Sequence, residues 1–527
     1  MEGLMLLNGN IYTMNPQLPK AEAAAIRDSK IIAVGKSSEV ENLGRKNFKV
    51  INLSGKTVIP GLIDCHTHFL AFASSLKRVN LDGISSFDAL LSAIKSFCTK
   101  LRPNEWLVGR GWNRNILGGK SHFTKKILDE VWPNAPAALQ SKDHHLLWVN
   151  SKALEQARID KETQDPPGGR IERDLQTKEP TGILEENACS LVWEKVPTAS
   201  VAHSKELLRE AMKIANSYGL TGIHNHDDPG AFPLFERLRL DEELTLRVCS
   251  WVPVQDLDSA VSVGLLSGFG NENLRFGGVK IYSDGSLGSQ TALMFEPFEG
   301  SRDDLGVEVT LQEELSDLVA KAGRAGISVA IHSIGDKAVH QSLNAIEASI
   351  GETKGESRLR HRIEHVQLLH PKDTDRFREL EVVASVQPVH APADIDIAEK
   401  YWGKRCKLAY AFNTLLKSGA KLVFGSDAPI ETLNPWMGIH AAVCRKRIEA
   451  KESWYPQERV GVADAVSAYT QWASYASYEE NLKGSIQVGK LADLVVLSQD
   501  IFEISPEEIP DTKVECTILG GRIVFEA

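Results

Sequence analysis

The sequence predicts an α/β fold in which a (β/α)8 TIM barrel is joined to a small β-sandwich built from both termini. Two observations lead to this prediction. Between about residues 57 and 478, short apolar strands alternate with helical stretches, a pattern typical of parallel β-α-β units, and about eight such units close a barrel. Both ends of the chain are instead rich in short strands separated by turn signals.

Turn residues separate the predicted strands at the two ends of the chain. Leu4–Leu7 is an apolar run that ends at Asn8-Gly9, and Gly520-Gly521 separates two apolar runs as in a hairpin. The stretch of about 82–197 fits the barrel alternation poorly and is rich in Trp and Gly, so we expect a partial insertion beside the barrel. The predicted domains are the first sandwich part at 1–58, the barrel at 59–484 and the second sandwich part at 485–527.

The composition excludes several classes of protein. With 42% hydrophobic and 25% charged residues, the chain is neither disordered nor fibrous. Its net charge of -10 argues against nucleic-acid and anionic-membrane partners. The 7 cysteines are scattered without a C-x-x-C motif, which indicates neither a disulfide framework nor a zinc finger. Because the chain shows neither a basic leader nor an apolar run of about 18 residues, we expect a soluble cytoplasmic protein. Its oligomeric state stays open, with a homodimer as one alternative.

Two histidines lie at the end of the first predicted barrel strand. His66 and His68 follow the apolar run Val58–Ile63, and residues two apart in a strand point to the same face. Two imidazoles on one face can bind one divalent metal ion. The motif alone is weak, because a pair of surface or core histidines has the same spacing.

Further polar residues occupy later predicted strands of the barrel, whose carboxyl ends form the active-site face of such a fold. His332, His365 and Asp427 each end or follow a strand of their own, and Lys280 lies inside an apolar strand. A buried, unpaired lysine is costly and is normally neutralised or paired. Its neutral amine can react with carbon dioxide to give a carbamate, whose two oxygens suit two cations about 3.5–4 Å apart. The alternative for Lys280 is a salt bridge to Asp284.

Taken in this order, the six residues resemble the binuclear branch of the amidohydrolase superfamily. Several segments are more specific and are similar to YtcJ-like, amidohydrolase-3-type enzymes, which include N-substituted formamide deformylases. The resemblance covers essentially the whole chain. These segments are 277–289, 331–339, 362–365, 425–430 and 489–497.

The resemblance implies a role for each of these residues. His66 and His68 would hold a buried metal ion, and His332 and His365 a more exposed one. Carboxylated Lys280 would bridge the two ions, and Asp427 would bind metal and move protons. Zinc is the first choice of metal, with manganese, iron or nickel as alternatives.

Four residues are predicted to bind substrate. His226 belongs to a second H-x-H motif, His224-x-His226, which could compete as the metal pair. Because this motif lacks the Pro-Gly-Leu-Ile-Asp lead-in of the first, we expect His226 to line the pocket or to support the ligands instead. His145 and Trp112 lie in family-like phrases of the insertion, where a packed loop and an insertion core are the alternatives. Gln290 stands where the family usually has arginine, so an ion pair made by that arginine is in doubt here.

The predicted function is a metal-dependent amidohydrolase that cleaves the C–N amide bond of a small N-acyl or N-formyl amine carrying an apolar group. A metal-bridging hydroxide would attack the carbonyl, and Asp427 would carry the proton. One alternative is a mononuclear deaminase on the same barrel, but such enzymes usually have His-x-x-Glu after the fifth strand, where His332 is followed by Ser-Ile-Gly. The other is a non-catalytic regulatory homologue, which a missing ligand would favour.

Overall fold

The computed structural model describes residues 3–81, 83–113, 123–141, 146–197, 200–226, 230–352 and 359–527. The chain forms two compact units. The first unit comprises Met1–Phe72 and Leu208–Ala527, and the second comprises Ala73–Leu207.

The strands of the described residues are numbered here in chain order. They are β1 (Gly3–Leu7), β2 (Asn10–Tyr12), β3 (Lys20–Ala21), β4 (Ala23–Arg27), β5 (Lys30–Gly35), β6 (Phe48–Asn52), β7 (Thr57–Pro60), β8 (Leu62–Thr67), β9 (Arg78–Asn80), β10 (Leu107–Trp112), β11 (Ala137–Ser141), β12 (Leu146–Val149), β13 (Gly169–Arg173), β14 (Pro180–Glu186), β15 (Leu220–Asn225), β16 (Arg247–Pro253), β17 (Leu274–Tyr282), β18 (Val329–Ser333), β19 (Arg362–His365), β20 (Val383–Val386), β21 (Lys421–Phe424), β22 (Leu494–Leu497), β23 (Val514–Leu519) and β24 (Arg522–Glu526).

The helices of the same residues are numbered likewise. They are α1 (Ser37–Glu41), α2 (Phe69–Ser75), α3 (Phe87–Cys98), α4 (Lys125–Val131), α5 (Ser151–Ala157), α6 (Ser190–Trp193), α7 (Val201–Ser217), α8 (Ala231–Leu240), α9 (Leu257–Ser262), α10 (Gln312–Arg324), α11 (Asp336–Glu352), α12 (Arg376–Glu379), α13 (His390–Trp402), α14 (Phe412–Ser418), α15 (Pro435–Cys444), α16 (Val462–Ala468) and α17 (Gln471–Ala476).

The first unit contains a sandwich made from both ends of the chain. One sheet has the strand order β5-β4-β1-β6, and the other has the order β24-β23-β22-β7-β2-β3. Strand β22 pairs antiparallel with β7, which joins the last part of the chain to the first. Leu6 and Ile26 of one sheet share a buried apolar cluster with Val58, Leu494 and Ile518 of the other. This packing confirms the predicted sandwich.

The same unit contains an eight-stranded parallel sheet with the order β21-β20-β19-β18-β17-β16-β15-β8. Its strands are rich in buried Val and Ile, as expected when both faces of a parallel sheet are covered. The two end strands are connected near their carboxyl ends. The Asp427 amide donates to the His66 carbonyl (2.7 Å), and the His68 amide donates to the Ala428 carbonyl (2.9 Å). The sheet is therefore a nearly closed barrel, which confirms the predicted fold class.

The second unit has its own six-stranded sheet, in the order β13-β14-β12-β11-β10-β9. Three aromatic residues fill one side of it: Trp112 stacks on Phe123 with ring centroids 4.5 Å apart, and Trp148 contacts both rings edge-on. The indole nitrogen of Trp112 donates to the Leu139 carbonyl (2.7 Å). These tryptophans form the core of this unit.

The cysteines and the helices bear on two further sequence observations. All seven cysteines are free thiols, in line with their scattered positions. Within the described ranges, every helix is too short or too polar to cross a membrane.

Candidate metal centre

The six predicted metal ligands all lie on barrel elements of the first unit. His66 is the fifth residue of β8, and His68 follows that strand directly. Lys280 lies near the end of β17, His332 is the penultimate residue of β18, and His365 is the last residue of β19. Asp427 follows β21 by three residues. The carboxyl ends of parallel barrel strands meet at one face, so side chains from four strands and one loop converge there.

The first group of this centre consists of His66, His68 and Asp427. The Nε2 atoms of His66 and His68 each lie 3.4 Å from Oδ1 of Asp427. Nε2 of His66 is fully buried and has no hydrogen-bond partner among the described residues. Two imidazole nitrogens and a carboxylate oxygen facing one another form a ligand set suited to a divalent metal ion.

Glu364 and Arg362 orient His66 from the Nδ1 side of its ring, away from the candidate metal position. Nδ1 of His66 lies 2.6 Å from Oε2 of Glu364, and Arg362 forms a buried ion pair with the same carboxylate. Burial raises the pKa of Glu364, but Arg362 and His66 more than offset this and hold its pKa well below the usual range. The carboxylate therefore accepts the Nδ1–H of His66 and leaves the Nε2 lone pair facing the site, as in a carboxylate–histidine–metal triad.

Sequence reasoning missed Glu364 and Arg362 as functional residues. The signal was present in Arg362-Ile363-Glu364-His365, where two charged residues two positions apart interrupt a buried strand. Residues at this spacing share a face, and charge inside a barrel must be paired. That spacing could have identified an ion pair beside the candidate ligand His365.

Lys280 is the most unusual group of the centre. It is 3% exposed, and its Nζ has no hydrogen-bond partner among the described residues. Burial lowers the pKa of Lys280 to about 8, although Glu364 and Asp427 act in the opposite direction. Asp284, the alternative partner, instead accepts hydrogen bonds from backbone amides of residues 293, 334 and 335. The structure therefore shows no salt bridge from Lys280 to Asp284.

His332 and His365 form the second group. Their ring centroids are 4.4 Å apart. Burial is the largest influence on both residues: it lowers the pKa of His332 to about 3 and the pKa of His365 well below its ordinary value. Nε2 of His332 donates to the Gly285 carbonyl (3.0 Å), and Nδ1 of His365 has no partner among the described residues. Both rings are neutral imidazoles with a lone pair available for a metal ion.

Buried nitrogen atoms that lack a hydrogen-bond partner indicate whether this site fits metal ions. His66, His365 and Lys280 each bury a nitrogen atom that makes no hydrogen bond within the described part of the chain. Leaving one such atom unsatisfied costs about 1–3 kcal/mol, so three in one cluster would be a large penalty without a ligand. His365 and Asp427 also adopt left-handed backbone conformations (φ 76° and 60°), strain that is typical of functional sites. The donor set fits divalent metal ions.

His390 joins the centre from the segment that follows β20, the seventh barrel strand, for which the sequence predicted no residue. It is the first residue of α13, and its Nε2 lies 3.2 Å from Oδ2 of Asp427. His365, His390 and Asp427 form another group whose ligand atoms lie within 4.8 Å of one another. The signal that could have found it is a histidine four residues after the end of a predicted barrel strand, in Gln387-Pro388-Val389-His390.

The residues predicted to bind substrate have different surroundings. His145 lies outside the described residues. Trp112 is 0% exposed in the core of the second unit. His226 follows β15 and stacks on His66 at 4.3 Å, and neither of its ring nitrogens has a partner among the described residues. Gln290 is partly buried in a left-handed turn (φ 55°). Their contacts with substrate stay predictions.

The two histidines of the second H-x-H motif, His224 and His226, have different contacts. Nδ1 of His224 lies 2.9 Å from Nη1 of Arg362, so His224 belongs to the buried network behind His66. His226 faces His66 itself, and His66, His226 and Glu364 bring ligand atoms within 4.8 Å of one another.

Comparison with known proteins identifies the family. Residues 49–525 match the model of the amidohydrolase family Amidohydro_3. The chain belongs to this family. It is 35% identical to the protein LONG AFTER FAR-RED 3 of Arabidopsis thaliana, over 99% of this chain and 91% of the relative. It is 33% identical to the putative amidohydrolase YtcJ of Bacillus subtilis, over 98% of both chains, and 28% identical to the N-substituted formamide deformylase of Arthrobacter pascens, over 100% of this chain and 99% of the relative.

A solved structure agrees with this assignment. The structure of an uncharacterized metal-dependent hydrolase from Pyrococcus furiosus superposes with a TM-score of 0.78 at 28% identity, and the match covers 95% of this chain and 100% of the other. The family and this neighbour support a metal-dependent hydrolase with a TIM-barrel fold, and they confirm the resemblance to YtcJ-like, amidohydrolase-3-type enzymes.

Proposed function

We propose that this amidohydrolase is a binuclear enzyme that hydrolyses the C–N amide bond of a small N-acyl or N-formyl amine. The observation that carries the proposal is the buried, partnerless Nζ of Lys280 beside two groups of imidazole ligands. The amine of Lys280, with its pKa near 8, is suited to carboxylation at neutral pH.

The two ions would be held by the residues that converge at the carboxyl ends of the strands. His66, His68 and Asp427 would hold the first ion, and His332 and His365 the second, with carboxylated Lys280 between them. Zinc is the first choice, with manganese, iron or nickel as alternatives. Such a pair of ions supplies a hydroxide nucleophile at neutral pH and polarises a carbonyl oxygen.

Asp427 is the proposed proton carrier. Burial raises the pKa of Asp427, but hydrogen bonds from His390 and His68 and the neighbouring imidazoles hold its pKa well below the ordinary range. It is therefore a carboxylate at neutral pH, able to accept a proton from the nucleophile and deliver it to the leaving nitrogen. At 7% exposure, its oxygens are largely shielded from bulk water, which limits loss of the proton to solvent.

The open side of the centre indicates where substrate would enter. The side chains of His68 and His332 are 24% and 14% exposed, whereas that of His66 is fully buried. The ring of Tyr282, 43% exposed, lies 5.2 Å from the ring of His332. An aromatic surface beside the exposed histidines suits an apolar substituent on the amide.

The name of one relative favours one class of amide substrate over the others. The Arthrobacter protein is named an N-substituted formamide deformylase and aligns with this chain from end to end. A formamide carbonyl carries only hydrogen on its acyl side, so its apolar group lies on nitrogen and would contact Tyr282. We therefore place N-formyl amines first among the substrates and other N-acyl amines second.

Steady-state kinetics on matched substrates test the proposal. The metal-reconstituted protein should hydrolyse N-benzylformamide-type amides with a far higher kcat/KM than aminopyrimidines or phosphotriesters. Release of ammonia from a ring amine, without comparable amide cleavage, would reject the proposal in favour of a deaminase. Full metal occupancy without turnover of any of these substrates would favour a regulatory homologue.

A further inference from the structure

The carboxylate of Asp427 is contacted from two opposite sides. Its Oδ1 atom faces Nε2 of His66 and Nε2 of His68, each at 3.4 Å. Its Oδ2 atom faces Nε2 of His390 at 3.2 Å, a hydrogen-bond distance. The two oxygens of one carboxylate are thus divided between the candidate metal group and a histidine from a different strand.

The backbone on both sides of this contact is closely defined. His390 is 7% exposed, and its amide donates to the Gln387 carbonyl (3.1 Å), which fixes the turn between β20 and α13. Asp427 has φ 60°, and its amide donates to the His66 carbonyl (2.7 Å). Backbone hydrogen bonds therefore fix the main-chain positions of the two residues and leave the side-chain torsion of Asp427 to be set by its side-chain contacts.

We propose that His390 is a positioning residue for Asp427: its Nε2–H holds Oδ2 so that Oδ1 stays directed at the metal held with His66 and His68. This inference rests on the proposed function for its consequence in catalysis. Without the His390 donor, the carboxylate is free to turn about its terminal torsion, which has a broad energy profile. Oδ1 would then face the metal group for only part of the time, and both metal affinity and proton transfer would weaken.

The contact has the geometry of a donor rather than that of a ligand shared with the second group. The ring centroids of His390 and His365 are 6.3 Å apart, whereas those of His332 and His365 are 4.4 Å apart. The ring of His390 is thus further from the ring of His365 than the ring of His332 is. Its close contact is the carboxylate oxygen of Asp427.

Two substitutions at position 390 separate the hydrogen bond from the bulk of the side chain. His390→Phe removes the donor and keeps the ring, and His390→Gln keeps a donor. Zinc stoichiometry and zinc affinity are measured by competition with a chelator, without substrate, and kcat and KM are measured on an N-benzylformamide-type amide. His440→Gln is the matched control, because His440 is a buried histidine of the first unit that lies on α15, outside the candidate ligand groups.

Loss of a partner that orients a metal ligand typically lowers metal affinity or activity by about 10–100-fold. We expect His390→Phe to bind both ions at saturating zinc, with an affinity lowered by about that factor, and to lower kcat while KM is unchanged. His390→Gln should recover most of both quantities, and His440→Gln should match the wild type.

Two results would overturn the inference. Unchanged zinc affinity and kcat in His390→Phe would show that Asp427 needs no partner at Oδ2. Loss of one whole ion in both variants, even at saturating zinc, would make His390 a direct ligand. Because the zinc measurements need no substrate, they remain decisive even if the wild-type protein hydrolyses no amide and the proposed function fails.

Discussion

Strand β17 carries a buried cationic side chain near each end, and the two differ in whether a carboxylate pairs with the charge. Near its start, Arg275 pairs with Glu479 (3.2 Å), and the same carboxylate pairs with buried Lys483 (2.8 Å). Near its end, Lys280 has no such partner within the described residues. The side chain of Lys483 is 5% exposed and Lys280 as a whole is 3% exposed, so burial does not distinguish the two lysines.

The difference lies in what each end of the barrel must do. Paired charges at the amino ends of the strands hold the fold together, whereas the carboxyl ends form the catalytic face of such barrels. This chain is able to supply a carboxylate to a buried lysine, as it does for Lys483. A lysine left without one on the catalytic face is available for carboxylation and metal binding.

The largest expected effect separates the two lysines directly. Lys280→Ala should lose at least one metal ion and about 10³-fold or more in kcat/KM, because a charged group that organises the reaction centre is removed. Without metal, its unfolding free energy should fall by less than the loss caused by breaking a buried ion pair. The lost amine makes no hydrogen bond within the described residues, so the substitution removes only buried packing and a contact with the Tyr282 ring at 5.0 Å. Short carboxylic acids with added metal should restore part of the activity.

Lys483→Ala is the matched control and should give the reverse result. Breaking a buried ion pair costs about 3–5 kcal/mol, so denaturant unfolding should show a large loss of stability, while metal content in the folded protein stays normal. Wild-type binding of one ion only, with an ordinary ammonium at Lys280, would contradict the comparison.

A smaller effect is expected at Asp427. Asp427→Asn keeps the shape of the side chain but removes the base, so kcat should fall by at least about 10²-fold, the usual scale for losing a positioned acid–base group. Metal content, measured by elemental analysis, shows whether the ions remain. Near-normal kcat with both ions bound would assign proton transfer to another residue.

The sequence predicted the candidate ligands but not the network of buried side chains that contacts them. His66, His68, Lys280 and Asp427 could be predicted because each is a ligand-type residue at or near a strand end. The role of Glu364 could not be predicted in the same way, since it depends on a contact with a residue 298 positions away that exists only once the barrel forms.

The position of His390 was hidden for a related reason. It begins a helix, and the first residue of a helix faces the barrel only if the preceding turn directs it there. That turn is fixed by the backbone bond from His390 to Gln387, which residue type alone does not specify. Fold class, in contrast, followed from the apolar alternation along the whole chain and needed no single contact.

An effect of moderate size is expected for the pH dependence of metal-centre assembly. Carboxylation needs the neutral amine, and with a pKa of about 8 roughly one tenth of Lys280 is neutral at pH 7, against about one in three thousand for a lysine at 10.5. The sign is set by deprotonation of the amine. With zinc and bicarbonate, and with dissolved carbon dioxide held at a constant concentration, reactivation of the metal-free protein should accelerate by up to about tenfold between pH 7 and pH 9 and then level off.

The control for this experiment is the bicarbonate itself. If Lys280 is carboxylated, the rate of reactivation at fixed pH should rise with bicarbonate concentration, and removing dissolved carbon dioxide should slow it. A rate that is independent of both pH and bicarbonate would indicate that the centre assembles without modification of Lys280, whatever its activity.

The smallest effect on catalysis is expected in the second unit, where Trp112 was predicted to bind substrate. Its ring is enclosed by Phe123 and Trp148, and its indole nitrogen donates to the Leu139 carbonyl. Trp112→Phe leaves that carbonyl without its donor and creates a small cavity, so unfolding stability should fall by about 1–3 kcal/mol. KM for an N-benzylformamide-type amide should not change, because a fully enclosed side chain contributes packing rather than a substrate contact. A raised KM at unchanged stability would instead place Trp112 against the substrate, and its side chain would then contribute to specificity rather than to packing alone.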